Sequence, residues 1–221
     1  MSERRRIAVL ISGAGRNLKA IIRACEDGRI AGRIVGVLSD RADAPGLQFA
    51  RRAGIESRVV LASGFSDRSQ FDAALLETLD AWAPDMVVLA GFMRILGADF
   101  VRRYRGKLLN IHPSLLPHYP GLRTHQRVLK NGDAEHGATV HFVTEELDGG
   151  PAIIQGRLMV DPQDTEQTLA ERVMQQIELR IYPQAVAWMA NGALRLGENG
   201  PELNGRTLKS PRDLADLQEG F

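Results

Sequence analysis

The sequence has 221 residues and a mass of 24.3 kDa, which fits one ordinary α/β domain and leaves no room for a second large one. Its formal net charge of +1 argues against broad electrostatic capture of nucleic acid or an anionic membrane, though not against one local phosphate site. The single cysteine, Cys25, excludes an internal disulfide and a cysteine-based metal cluster, and fits a reducing compartment. Arg4, Arg5 and Arg6 look like the basic start of a secretion signal, but the apolar run behind them covers only residues 7–11. No apolar stretch reaches the length of a bilayer span, so a soluble cytoplasmic protein is expected.

In chain order, the first half reads as strand, turn and helix, repeated. Residues 7–11 form a short apolar strand that stops at a glycine-rich turn, and residues 18–25 follow with helical periodicity. The next units pair a strand at 34–39 with a helix at 46–53, and a strand at 58–61 with a long helix at 67–82. Residues 86–90 are apolar throughout, as expected of a parallel strand covered on both faces. A fifth strand, 108–111, ends at Pro113. This alternation predicts an open, mostly parallel twisted sheet with helices on both faces, a Rossmann-like α/β fold in a single domain.

The second half changes character. Residues 114–124 contain Pro117, Pro120 and Gly121 and read as an ordered loop. A helix at 124–130 precedes strands at 138–143 and 152–160, joined by the turn-rich segment 145–151. The longest helical pattern runs over 165–189, with Thr165 as N-cap, Gly192 near its end and Pro183 bending it. From Leu194 onward the reading is a short hairpin and a loose polar end.

Ligands of a parallel sheet sit beyond the carboxyl ends of its strands, and three unusual segments fall there. Ser12-Gly13-Ala14-Gly15-Arg16-Asn17 links the first strand to its helix, with glycines for a tight turn and free N–H groups that attract an anion. A turn alone rarely needs two glycines together with Arg16 and Asn17, so a phosphate is the expected guest. Leu18 stands where a dinucleotide fingerprint would carry its third glycine, which makes an NAD reading weak.

The second segment is Asn110-Ile111-His112-Pro113-Ser114. Extended residues two apart share a side, so Asn110 and His112 project together, and Pro113 holds His112 out of helical geometry. An amide donor beside an imidazole suits a developing oxyanion. The third segment is Glu145-Glu146-Leu147-Asp148-Gly149-Gly150-Pro151, an acidic turn on a backbone of unusual demands. A carboxylate from it beside His112 would favour the charged imidazole. Composition alone does not choose Asp148 over Glu145 or Glu146.

Taken together, Ser12-Gly13-x-Gly15-x-Asn17, residues 90–96 (Ala-Gly-Phe-Met-Arg-Ile-Leu), residues 110–117 (Asn-Ile-His-Pro-Ser-Leu-Leu-Pro) and Leu147-Asp148-Gly149-Gly150 resemble the glycinamide ribonucleotide formyltransferases of purine synthesis. The resemblance covers residues 7–204. Its 110–117 segment is shared by folate-dependent formyltransferases generally, while the glycine loop and the chain length point to the ribonucleotide acceptor.

The resemblance implies a catalytic trio of Asn110, His112 and Asp148. It implies a ribonucleotide site at Gly15, Arg16, Asn17, Gln175 and Glu178, the last two sharing a helix face. It also implies a folate pocket of Arg68, Met93, Arg94, Ile95 and Leu96, with Asn110, Thr144, Glu145, Glu146, Leu147 and Asp148. Residues 1–105 would form a nucleotide-binding half and 106–205 a folate and catalytic half. Two departures stand out: Arg16 replaces the usual serine, and the stretch 175–181 is one residue longer than the family pattern.

In the implied chemistry the acceptor amine attacks the formyl carbon of 10-formyltetrahydrofolate, a co-substrate. Protonated His112 and the Asn110 amide hold the oxyanion, while Asp148 orients His112 and helps remove a proton. No metal is expected, because His112, His118, His125, His136 and His141 show no ligand spacing. His141 reads as a core or supporting histidine; His118, His125 and His136 read as surface or loop residues. The expected partners are the ribonucleotide and the reduced folate, with no nucleic acid and no membrane, in a monomer or homodimer. Rival readings are a formyltetrahydrofolate hydrolase, a formyltransferase acting on another amine such as methionyl-tRNA, and a non-catalytic nucleotide-binding module.

Overall fold

The computed structural model describes residues 4–221. Five strands, β1 (Arg5–Ile11), β2 (Gly32–Ser39), β3 (Ser57–Val59), β4 (Met86–Leu89) and β5 (Leu108–His112), run parallel. Two more, β6 (Glu135–Phe142) and β7 (Ala152–Met159), complete one seven-stranded sheet in the order β3-β2-β1-β4-β5-β6-β7. Only β6 is reversed, being antiparallel to both β5 and β7. The sheet order turns back between β1 and β4, so the loops leaving those two strands diverge and open a crevice at their carboxyl ends.

Both faces of the sheet are dry, as the unbroken apolar runs required. In β1, Ile7, Val9 and Ile11 face one core and Ala8 and Leu10 the other; in β4, Met86 and Val88 alternate with Val87 and Leu89 in the same way. The first core is closed by α1 (Arg16–Glu26), α2 (Leu47–Arg52), α5 (Thr124–Asn131), α6 (Glu166–Val173) and α7 (Leu179–Ala190). The second is closed by α3 (Arg68–Trp82) and α4 (Ala98–Arg103), with Leu75, Leu79 and Phe100 fully buried. Each such side chain contributes about 1.5–3 kcal/mol by leaving water. Across the first core, the Tyr182 hydroxyl reaches the Leu89 carbonyl of β4 at 2.8 Å, which fixes α7 against the strand leading to the crevice.

Four expectations change. The long carboxyl-terminal helix is interrupted by a π turn at Met174–Glu178, while Pro183 lies inside an otherwise regular α7. A π turn absorbs one inserted residue, in keeping with the additional residue that the resemblance implies for this stretch. Helix α4 went unread because only six residues separate Gly97 from Tyr104. The tail forms a three-stranded meander of β8 (Leu194–Gly197), β9 (Gly200–Leu203) and β10 (Arg206–Thr207), and the segment after it is not loose. Arg212 and Ile153 exchange a backbone bond, Gln155 donates to the Arg212 carbonyl, and Gln218 pairs with Gln184. Finally, His136 is a buried strand residue whose ring meets His125 at 2.9 Å, rather than a surface group.

Candidate active site

Asn110 and His112 occupy the end of β5, two residues apart and projecting to the same side. Antiparallel pairing sets Asn110 opposite His141 of β6. The His141 Nδ1–H donates to the Phe142 carbonyl at 3.0 Å, an oxygen that can only accept. Its Nε2 is therefore the acceptor for the Asn110 Nδ2 amide at 3.2 Å. Burial holds the His141 imidazole below its ordinary value, outweighing the opposite pull of the Phe142 carbonyl and of Asp148, so the neutral ring is favoured. Asn110 is thus oriented by a second, buried histidine.

Asp148 arrives from the turn between β6 and β7. Its Oδ2 lies 3.4 Å from His112 Nδ1 and accepts the Gly121 N–H at 2.8 Å, and its Oδ1 lies 3.9 Å from His141 Nε2. The turn is shaped by sterics. Asp148 itself has a positive φ of 52°, and a Cβ on Gly150 would sit 1.8 Å from the Phe142 carbonyl oxygen, so only glycine lets the chain pass there. Glu145 and Glu146 are exposed, and Glu145 pairs with Arg102 at 3.1 Å. Geometry thus singles out Asp148 among the three acids.

The loop at 114–123, which includes a cis Leu116–Pro117 bond, folds over His112. The His112 Nε2–H donates to the Tyr119 carbonyl at 2.9 Å, and the side chain is 8% exposed. Both ring nitrogens thus face oxygen atoms, Nε2 the Tyr119 carbonyl and Nδ1 the Asp148 carboxylate. Ser114 is buried, and its hydroxyl donates to the His118 carbonyl at 2.6 Å.

At the β1 end, the loop of residues 12–15 turns into α1. Gly15 adopts φ 72°, and a Cβ there would lie 2.5 Å from Gly46 Cα. Asn17 Nδ2 donates to Glu178 Oε2 at 2.8 Å, and Asn17 Oδ1 is buried with no donor. Arg16 is ion-paired with Glu171, which also accepts from Gln175 at 2.9 Å. The predicted ribonucleotide residues therefore converge on one loop, but Gln175 and Glu178 do not share a face as expected. The π turn rotates them apart, leaving Gln175 exposed and Glu178 buried. Burial raises the Glu178 carboxyl above its ordinary value, against the opposing pull of Asn17 and Arg16.

The segment carrying Met93, Arg94, Ile95 and Leu96 leaves β4 across the crevice and is pinned along its length. The Met93 N–H donates to Ser12 Oγ and Arg94 Nε to Asp40 Oδ2, each at 2.8 Å. Arg68 donates to the Leu96 carbonyl at 3.1 Å, and the Gly97 N–H donates to buried Asp72 at 2.7 Å. Pinning leaves Met93 and Ile95 out in solvent, as Leu147 is; Phe92 and Leu96 turn inward, and Thr144 is half-buried. Exposed apolar side chains beside fixed backbone groups suit a flat heteroaromatic ligand. Asp40 and Asp72 were missed as supporting residues, and His141, read as a core or supporting histidine, is one, though its pairing with Asn110 was not read. The signal for His141 was its register opposite Asn110, which requires knowing that β6 runs antiparallel.

Among the described residues, no three or more His, Cys, Asp or Glu side chains are disposed to hold a metal ion. Nor is any helix long and apolar enough to cross a membrane.

The sequence pattern of the family described as Formyl transferase matches residues 5–186. A phosphoribosylglycinamide formyltransferase of Escherichia coli (strain K12) is 52% identical over 210 residues, covering 95% of this chain and 99% of that protein. One from Haemophilus influenzae is 47% identical, with 92% and 96% covered. The structure of the phosphoribosylglycinamide formyltransferase from Coxiella burnetii, in complex with CHES, superposes with a TM-score of 0.90 at 48% identity, covering 96% of this chain and 99% of that one.

Proposed function

This chain belongs to the formyl transferase family, and from that premise we propose that Asn110, His112 and Asp148 carry formyl transfer from 10-formyltetrahydrofolate to the amine of glycinamide ribonucleotide. The products are formylglycinamide ribonucleotide and tetrahydrofolate, in purine biosynthesis. The single observation that carries the catalytic assignment is the meeting of an amide, an imidazole and a carboxylate, from β5 and from the turn before β7, at the carboxyl end of the sheet.

In this reading the acceptor amine attacks the formyl carbon, forming a C–N bond and pushing the carbonyl electrons onto oxygen. The oxyanion takes the His112 Nε2 proton as its donor, displacing the Tyr119 carbonyl, and the Asn110 amide as its second donor. Asp148 keeps His112 oriented and accepts the amine proton, directly or through a water. The oxyanion's electrons then re-form the carbonyl as the C–N bond to the folate nitrogen breaks, and that nitrogen takes up the proton Asp148 had accepted, directly or through the same water. No covalent enzyme intermediate is required. Cys25 lies on α1, where burial pushes its thiol up to about 12, and Ser114 is committed to a backbone carbonyl.

The ribonucleotide phosphate is assigned to the loop at Gly15, Arg16 and Asn17, with Gln175 and Glu178 nearby. The pterin is assigned to Met93, Arg94, Ile95 and Leu96, with Arg68 and residues 144–148. Residues 1–105 then serve mainly the nucleotide and 106–205 the catalytic groups, although Arg68 and the 93–96 segment lend the folate wall from the first half. The scheme needs no metal, and the reading keeps a cytoplasmic protein that acts as a monomer or homodimer.

The deciding assay supplies 10-formyltetrahydrofolate and follows tetrahydrofolate with glycinamide ribonucleotide, tRNA or water as acceptor. Turnover that depends on the ribonucleotide is expected. Turnover with water alone would make the protein a hydrolase, and silence with all three would make it a binding module.

A further inference from the structure

Outside the catalytic cluster, a groove of about 710 Å³ runs along α1 between that helix and the π turn with α7. Arg16, Lys19 and Arg23 line one wall, spaced three and four apart and so on one helix face, and Arg180 stands on the other. The far end is closed by Arg29, which is tied to Asp27 and to the Gly220 carbonyl, both at 2.7 Å. Two of these cations are compensated, Arg29 by Asp27 and Arg16 by Glu171. Among the described residues, Lys19, Arg23 and Arg180 make no ion pair, although the whole chain carries a formal charge of only +1. Unpaired positive charge is thus gathered in one concave strip.

That strip leads somewhere. Arg16 begins α1 at the glycine loop, and Gln175, also on the groove wall, reaches Glu171 beside it. Arg23 lies seven residues further along the helix, roughly 10 Å by the rise of an α-helix. This matches the screening length at about 0.1 M salt, so the field of Arg23 and Arg180 reaches the loop at low ionic strength and is lost at high.

We propose that this groove steers the phosphate-bearing ribonucleotide to the glycine loop, with Arg23 and Arg180 acting by charge alone and touching no reacting atom. The inference rests on the assignment of the ribonucleotide as acceptor. Asp27, the one acidic side chain on the groove wall, is taken up by Arg29, and a concave strip with such an excess of one sign raises the local concentration of an oppositely charged substrate and its rate of entry by roughly 10 to 10³. Two peripheral charges account for the lower end of that range.

The test replaces both residues, Arg23→Gln with Arg180→Gln, and separately Arg23→Lys with Arg180→Lys. At low ionic strength the glutamine pair should lower kcat/KM for glycinamide ribonucleotide by roughly three- to tenfold, with kcat and the KM for formyl folate unchanged. The difference should vanish at roughly 0.5 M salt, and the lysine pair should behave as wild type. If the unaltered enzyme formylates the ribonucleotide but the glutamine pair keeps its kcat/KM and salt slope, steering is wrong and the acceptor assignment stands. A lysine pair as impaired as the glutamine pair would also overturn it, since charge would then not be the agent. An unaltered enzyme inactive with the ribonucleotide removes the acceptor assignment, and the inference goes with it.

Discussion

The carboxylate of Asp148 stands 3.4 Å from His112 Nδ1 while the Tyr119 carbonyl occupies Nε2 at 2.9 Å, so the imidazole is held between a charge and a dipole. The dipole occupies the place proposed for the oxyanion. Replacing His112 by Asn removes the imidazole and with it the donor placed at Nε2, leaving only a shorter neutral amide, and should lower turnover by about 10²–10³ or more. Asp148→Asn keeps an acceptor for the Gly121 N–H but discards the charge, and a fall of similar order is expected. Steady-state rates at neutral pH, with thermal melts to verify folding, decide the matter; near wild-type turnover in either variant would overturn the assigned roles.

His141 supplies a second test, one step removed from the reacting atoms. Its Nε2 is the acceptor that aims the Asn110 amide, and it touches no substrate in the proposed scheme. His141→Phe should leave that amide without its partner, lowering kcat by about tenfold and stability by about 1–3 kcal/mol. The KM for formyl folate should hardly move. A variant that lost folate affinity instead, with kcat intact, would place His141 in the pocket and remove its orienting role.

Much of this arrangement was legible beforehand because it is written in short-range signals. Apolar runs ending in glycine or proline marked the strand ends, and Asn-x-His with the following proline marked a side of β5. What was not legible depends on contacts between distant segments. Nothing local to Glu145, Glu146 and Asp148 distinguishes them; the choice is made by the clash that makes Gly150 obligatory and by the Gly121 N–H that receives Asp148. The reversal of β6 places His141 opposite Asn110, and periodicity carries no sign of strand direction. The π turn is a middle case. One surplus residue was visible as a length, but the exposure of Gln175 and burial of Glu178 follow only from how α6 and α7 must both pack on the sheet.

Buried ionisable groups give the fold an acid limit, and the signs compete. Burial, reinforced by the neighbouring His125, pushes the His136 imidazole down from 6.5 to about 4. With a depressed folded value, the unfolded chain binds the proton first, so stability is intact above about 6.5 and is lost as pH falls toward 4. The loss is on the order of 3 kcal/mol. His125 and His141 are shifted in the same direction by burial. Glu178 opposes them: its raised carboxyl favours folding at low pH and costs stability as pH rises above its ordinary 4.5. Asp72, raised by burial against the Gly97 N–H and Arg68, acts with Glu178, and three histidines against these two carboxyls predict a net decline on acidification below 6.5. His136→Phe should flatten that decline and Glu178→Gln should steepen it, as read from melting temperature against pH.

Arg16 stands where the resembling family usually has serine, and its guanidinium is already engaged by Glu171. If the ribonucleotide phosphate binds at this loop, the two anions compete for one cation. An exposed pair of this kind, with side chains 39% and 52% exposed, is worth roughly 0.2–1 kcal/mol. Glu171→Gln removes one competitor and keeps an amide for Gln175, so the KM for the ribonucleotide should fall by up to about fivefold, the ratio that corresponds to 1 kcal/mol. Arg16→Ser should raise that KM and make the Glu171 substitution silent, because the pair no longer exists to be broken. Kinetics on the two single variants and the double would measure the coupling. Strict additivity would mean that Arg16 does not exchange Glu171 for phosphate, and that the cation serves only to fasten α1 to α6.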